Sequence, residues 1–120
     1  MYDYKMTESE YRFMKIIWEN NDISSSALVE QCKAVLDWKK STTYTIIKRM
    51  AEKGFLKNEN GTVTALVKRE EVEKYQSHRV VNNTFDGSLP KFIAAFMEDK
   101  KLTKEQAEQL KQLIDSYSEK

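Results

Sequence analysis

Cysteine, proline, glycine and histidine are all scarce in this chain of 120 residues, and each shortage excludes something. Cys32 is the single cysteine, so no intramolecular disulfide can form, which suits a reducing compartment. One cysteine and one histidine, His78, cannot supply the four ligands of a structural zinc centre. No stretch approaches the roughly 18 consecutive apolar residues of a membrane-spanning helix. The opening MYDYKMTESEYRF has neither the basic start nor the apolar run of a signal peptide, so a cytoplasmic location without membrane insertion is expected. There is no G-x-S-x-G, no phosphate loop and no G-x-G-x-x-G. An enzyme is therefore not expected, nor a cofactor.

The net charge is only +1, but the charges are unevenly placed. Residues 1–69 carry 12 Lys and Arg against 9 Asp and Glu, and residues 70–120 carry 8 against 10. Between residues 39 and 57 stand Lys39, Lys40, Lys48, Arg49, Lys53 and Lys57, opposed by Glu52 alone. A local basic cluster of this kind is the footprint of a nucleic-acid partner.

Periodicity divides the chain into short elements. Thr7 and Glu10 have capping-box spacing and precede an apolar stripe of Tyr11, Met14, Ile17 and Trp18, with Asn20-Asn21-Asp22 as the stop. Ile23-Ser24-Ser25-Ser26 offers a cap for a second helix with Leu28, Val29, Cys32 and either Val35 or Leu36 inward. After the Trp38 connector a third helix is expected from about Ser41 to Lys53, closed by Gly54 as the residue just past its end. Asn60-Gly61 between two strand-like runs is a strong hairpin signal. Three short helices and a hairpin within residues 1–69 predict a winged helix-turn-helix, so the fold class is mainly α.

Residues 70–120 predict three more helices. The first has Val72, Tyr75 and Val81 or Phe85 inward. The second starts at Ser88, tolerates Pro90 in its first turn, and carries Leu89, Phe92, Ile93, Phe96 and Met97. The third starts at a Thr103/Gln106 capping box and carries Leu110, Leu113, Ile114 and Tyr117. So short a segment cannot bury this much apolar surface by itself. Pairing with a second copy would cover it, and a three-helix dimerisation region is expected; folding back on the first domain is the alternative.

The third helix carries the candidate chemistry. At helical spacing Thr43, Ile46, Ile47, Met50 and Ala51 fall on the core side. Ser41, Thr45, Lys48 and Glu52 point away, flanked by Tyr44 on one edge and Thr42 and Arg49 on the other. Hydroxyls at the N-terminal end with cations behind them suit a recognition helix in a major groove. Short side chains permit close approach and bond to base edges, while lysine and arginine reach phosphates. Lys39, Lys40, Lys57 and the wing around Asn60 could hold the flanking backbone. The bland alternative is a solvated face with a Lys48–Glu52 ion pair, or a winged helix that docks a protein and no nucleic acid.

Three pieces in order resemble the penicillinase-repressor family, which includes the methicillin-resistance repressors. They are TESEYRFMKIIWEN; Trp38 followed by Thr42, Thr45, Arg49-Met50 and Lys53-Gly54-Phe55-Leu56; and FDGSLPKFIAAFMEDKKLT. The resemblance implies a homodimeric winged-helix repressor on a palindromic operator, interlocked through its C-terminal helices. It places operator contacts on the third helix, at Ser41, Thr42, Tyr44, Thr45, Lys48 and Arg49. Lys39-Lys40 stands where many members have Ser-Pro, and Tyr44 replaces a residue that is often basic, so operator sequence does not carry over. Some members are inactivated when a membrane-bound sensor protease triggers cleavage between Asn and Phe in the fifth helix. Phe96 matches that Phe, but Ala95 stands in place of the Asn. The paired C-x-C motifs of copper-responsive relatives are absent, so metal sensing of that type is not expected.

Overall fold

Helix α1 (Glu8–Asn20) begins at the expected capping box, in which the Glu10 amide donates to Thr7 Oγ1 (3.1 Å) and the Thr7 amide to Glu10 Oε1 (2.9 Å). Its stripe of Phe13, Met14, Ile16 and Ile17 is buried. Beyond Asn20 the stop residue Asn21 lies outside the described residues, which are 3–20 and 22–119 of this computed structural model. The two residues Ile23–Ser24 form strand β1, which the sequence pattern did not signal. Ser24 also caps α2 (Ser25–Leu36), accepting the Ala27 amide at 3.2 Å. In α2 it is Leu36, and not the exposed Val35, that turns inward with Leu28 and Cys32.

Asp37 ends α2 in the left-handed region (φ 57°), a conformation that Asp tolerates better than most side chains. Trp38 does more than connect, because its ring stacks on Phe13 of α1 with centroids 5.8 Å apart. Helix α3 (Lys40–Glu52) follows, with Thr43, Ile46, Ile47 and Met50 buried. Its end is a Schellman turn: Gly54 (φ 81°) donates to Ala51 O and Phe55 to Met50 O, both at 3.0 Å. Phe55 and Met50 are both buried, which supplies the apolar contact such a turn needs.

Strands β2 (Leu56–Glu59) and β3 (Thr62–Ala65) form the expected hairpin. Asn60 (φ 53°) and Gly61 (φ 81°) both have positive φ, as a two-residue type I′ turn requires. Strand β1 joins on the far side of β3, with Ile23 opposite Val63, giving the antiparallel order β1-β3-β2. The Ser25 amide also donates to Gly61 O (2.7 Å), tying the start of α2 to the tip of the wing. The result is a winged helix-turn-helix.

Three further helices follow: α4 (Arg69–Thr84), α5 (Leu89–Met97) and α6 (Lys104–Tyr117). Ser88 caps α5, and Thr103 with Gln106 forms the expected capping box of α6. The chain divides into two compact units, Met1–Arg79 and Val80–Lys120, so α4 contributes to both. Its Val72 is fully buried in the core of the first unit. Tyr75, expected at an interface between copies, also has contacts within the first unit: its hydroxyl donates to Asp3 Oδ1 (2.9 Å) and its ring meets that of Tyr4 edge-on. In the second unit Phe85, Phe92 and Phe96 touch in sequence. Yet no described side chain of that unit is buried, and α5 and α6 leave an open apolar groove of about 510 Å³ between them.

Candidate nucleic-acid interface

Helix α3 is presented to solvent along one side. Ser41, Thr42, Tyr44, Thr45 and Lys48 are exposed, while Thr43 in the middle of the hydroxyl run is fully buried. Thr43 belongs to the core, where its hydroxyl leans on the Lys39 carbonyl (3.4 Å) and on the Cys32 thiol. Burial pushes the Cys32 thiol up, partly offset by that Thr43 contact, so the lone cysteine is an inert packing residue.

Among the described residues the side chains of Lys39, Lys40, Ser41, Thr42, Tyr44 and Lys48 make no hydrogen bond or ion pair with the protein, and Lys48 does not pair with Glu52. The Thr45 hydroxyl donates to Ser41 O (2.9 Å), which leaves its oxygen free to accept. Lys39, the residue before α3, makes no side-chain cap, whereas Thr7, Ser24, Ser88 and Thr103 cap their helices. The first N–H groups of α3 are thus open to an outside acceptor, and the helix dipole favours a negative one. On the wing, exposed Lys57 lies 3.6 Å from Glu59, and Asn60 stands at the exposed turn.

Arg49 is placed differently from its neighbours. Its Nε donates to Glu10 Oε2 of α1 at 3.0 Å, and Lys53 Nζ reaches both Glu10 oxygens at 3.2 and 3.3 Å. Glu10 is only 2% exposed and is the one buried carboxylate among the described residues. Burial opposes its charge, but the Thr7 amide, Lys53 and Arg49 outweigh that and hold the carboxyl below its ordinary value. The signal was present in the sequence, since Glu10 shares the i, i+3, i+4, i+7 stripe with Phe13, Met14 and Ile17.

Helix α4 is fastened to the N-terminal segment by tyrosine–carboxylate bonds. Tyr4 donates to Glu71 (3.1 Å) and Tyr11 to Glu73 (2.7 Å), beside the Tyr75–Asp3 bond. Trp18 Nε1 donates to Val67 O (3.0 Å), holding the chain that leads into α4. These ties went unforeseen because their partners lie about 50 to 70 residues apart.

A family model for the penicillinase repressor matches residues 6–116, which covers the winged helix and all three helices beyond it. The chain belongs to the penicillinase repressor family. The methicillin resistance regulatory protein MecI of Staphylococcus aureus (strain Mu50 / ATCC 700699) is 26% identical over 116 residues, 93% of this chain and 94% of that protein. The penicillinase repressor of Bacillus licheniformis is 23% identical over 117 residues, 94% of this chain and 91% of that protein. An uncharacterized 16.5 kDa protein of Latilactobacillus sakei is 28% identical over 114 residues, 92% and 78% of the two chains. Family membership makes this a protein of transcription regulation, a repressor by kind. Among the described residues no helix is long and apolar enough to cross a membrane.

Proposed function

We propose that the chain is a cytoplasmic, homodimeric repressor that binds a palindromic double-stranded operator through α3. The observation that carries this is the outward face of α3: an uncapped N-terminus, four exposed hydroxyl side chains and unpaired lysines before and after them. Ser41, Thr42, Tyr44 and Thr45 read base edges; Lys39, Lys40 and Lys48 bind phosphates; Lys57 and Asn60 on the wing hold the flanking backbone.

Dimerisation is assigned to the second unit. Leu89, Ile93, Phe96, Leu113, Ile114 and Tyr117 are exposed, and Phe85, Phe92, Met97 and Leu110 only partly covered, an excess of apolar surface for a monomer. Family membership supports a second copy as what covers it. Two-fold symmetry then places the half-sites about one helical turn apart, or a multiple of it. Proteolytic derepression is assigned to Ala95–Phe96 in the last turn of α5, where Phe96 is 56% exposed. A membrane sensor protease would act on it indirectly.

The test is a gel-shift titration on the chain's own promoter region over a range of salt. Tight, salt-dependent binding to a palindrome is expected. Binding that is absent, or indifferent to salt, would favour a winged helix that docks another protein.

A further inference from the structure

Within the proposed DNA-binding role, we infer that Glu10 is a positioning residue: it takes Arg49 and Lys53 out of the phosphate-binding set and uses them to seat the recognition helix on α1. Three observations converge on this. First, all the side-chain hydrogen bonds of Arg49 and Lys53 among the described residues go to Glu10, at 3.0 to 3.3 Å. Second, Glu10 belongs to the buried stripe of α1 beside Phe13 and Met14, so the charged ends of the two half-exposed cations are turned toward α1. Third, Arg49 lies seven residues beyond Thr42, about 10 Å further along the helix axis from the end that enters a groove.

The arrangement does more than neutralise a buried charge. Two donors one turn apart, Arg49 on α3 and Lys53 just past its end, meet one acceptor on α1 that is itself fixed by the Thr7 amide. A helix held by apolar packing alone can roll or slide by a fraction of a residue at small cost. Ion pairs at two successive turns penalise both motions. The roll of α3 decides which of Thr42, Tyr44 and Thr45 faces the bases, so the clamp acts on sequence preference through orientation.

The role separates from direct phosphate contact by two readouts on the full-length chain: the salt slope of binding, and the ratio of operator to random-DNA affinity. Arg49→Met is expected to leave the slope unchanged and to lower the ratio about tenfold, while Arg49→Lys recovers most of it because an ammonium can still reach Glu10. Lys48→Met, the control, is expected to lower the slope by about 0.9 with the ratio kept. A slope lowered by about 0.9 in Arg49→Met makes Arg49 a phosphate ligand and overturns the inference. An unchanged ratio overturns it too, leaving only a stabilising ion pair. If Arg49→Met does not fold, Lys53→Met carries the same reading, with a ratio lowered about threefold at constant slope, and either departure overturns it. Absence of DNA binding by the unaltered protein would overturn the functional proposal itself, before any variant is compared.

Discussion

Glu10 of α1 and Arg49 of α3 meet at 3.0 Å across 39 residues of sequence, joining two of the three helices of the winged-helix core. Replacing Glu10 by Ala removes a nearly dry carboxylate with three partners, the Thr7 amide and the Arg49 and Lys53 cations. The cost expected is about 2 kcal/mol, at the lower end for a buried ion pair because Arg49 and Lys53 remain half exposed and can rehydrate. Urea unfolding of the two proteins at neutral pH measures it.

The same pair gives stability a pH dependence. The carboxyl of Glu10 lies below its ordinary value of 4.5 when folded, so the unfolded chain takes up a proton more readily than the folded one. Its contribution is therefore complete above about pH 4.5 and is lost as pH falls through the lower, folded value. Compared with Glu10→Gln, the unaltered protein should hold its full advantage at neutral pH and lose it in acid. A gap in urea midpoint that stays constant down to about pH 3 would deny the pair this role.

Much of the first unit was legible from the sequence because its signals are local. Capping boxes, the Asn60-Gly61 turn and the Gly54 terminus each act within a few residues, and the structure has all of them. Strand β1 was not legible, since two residues carry no alternation and Ser24 reads equally well as a helix cap. The wheel of α3 separated buried Thr43 from its exposed neighbours correctly. It placed Arg49 on an outer edge without knowing that Glu10, on another helix, would draw it in. The tyrosine ties of α4 were hidden for the same reason, because pairing between distant positions leaves no periodic trace.

The wing has a backbone requirement that can be tested without touching its charges. Gly61 has φ 81°, and a Cβ there would meet nothing closer than Ser25 Oγ at 3.8 Å. Gly61→Ala therefore suffers from conformation and not from crowding, at about 1 kcal/mol. Since the Gly61 carbonyl also holds the Ser25 amide, operator affinity should fall along with stability, whereas Asn60→Gly should leave stability nearly unchanged and lower affinity alone, through the lost contact to the flanking backbone. Thermal unfolding and a gel shift on the two variants distinguish the cases.

Sequence preference should reside at the N-terminal end of α3. Thr45→Val keeps the branched shape and removes the oxygen that can accept from a base, so discrimination at one operator position should weaken by about 1–3 kcal/mol with the salt slope unchanged. Selection of bound DNA from a random pool shows it directly, as one position losing its preference. A uniform loss of affinity over all sequences would assign Thr45 to the backbone instead.

The second unit supplies the clearest separation of assembly from folding. Leu113 is 53% exposed, so a charge there meets water in the monomer and disturbs little of the fold. In a dimer that covers α5 and α6 the same charge would be desolvated without a partner, which should weaken association about a hundredfold or more. Leu113→Glu is accordingly expected to sediment as a monomer at concentrations where the unaltered protein is dimeric, with its helical content retained. Its operator affinity should fall far more than its affinity for a single half-site, because only the linkage between two recognition helices has been lost. If Leu113→Glu stays dimeric, the apolar groove between α5 and α6 does not form the interface.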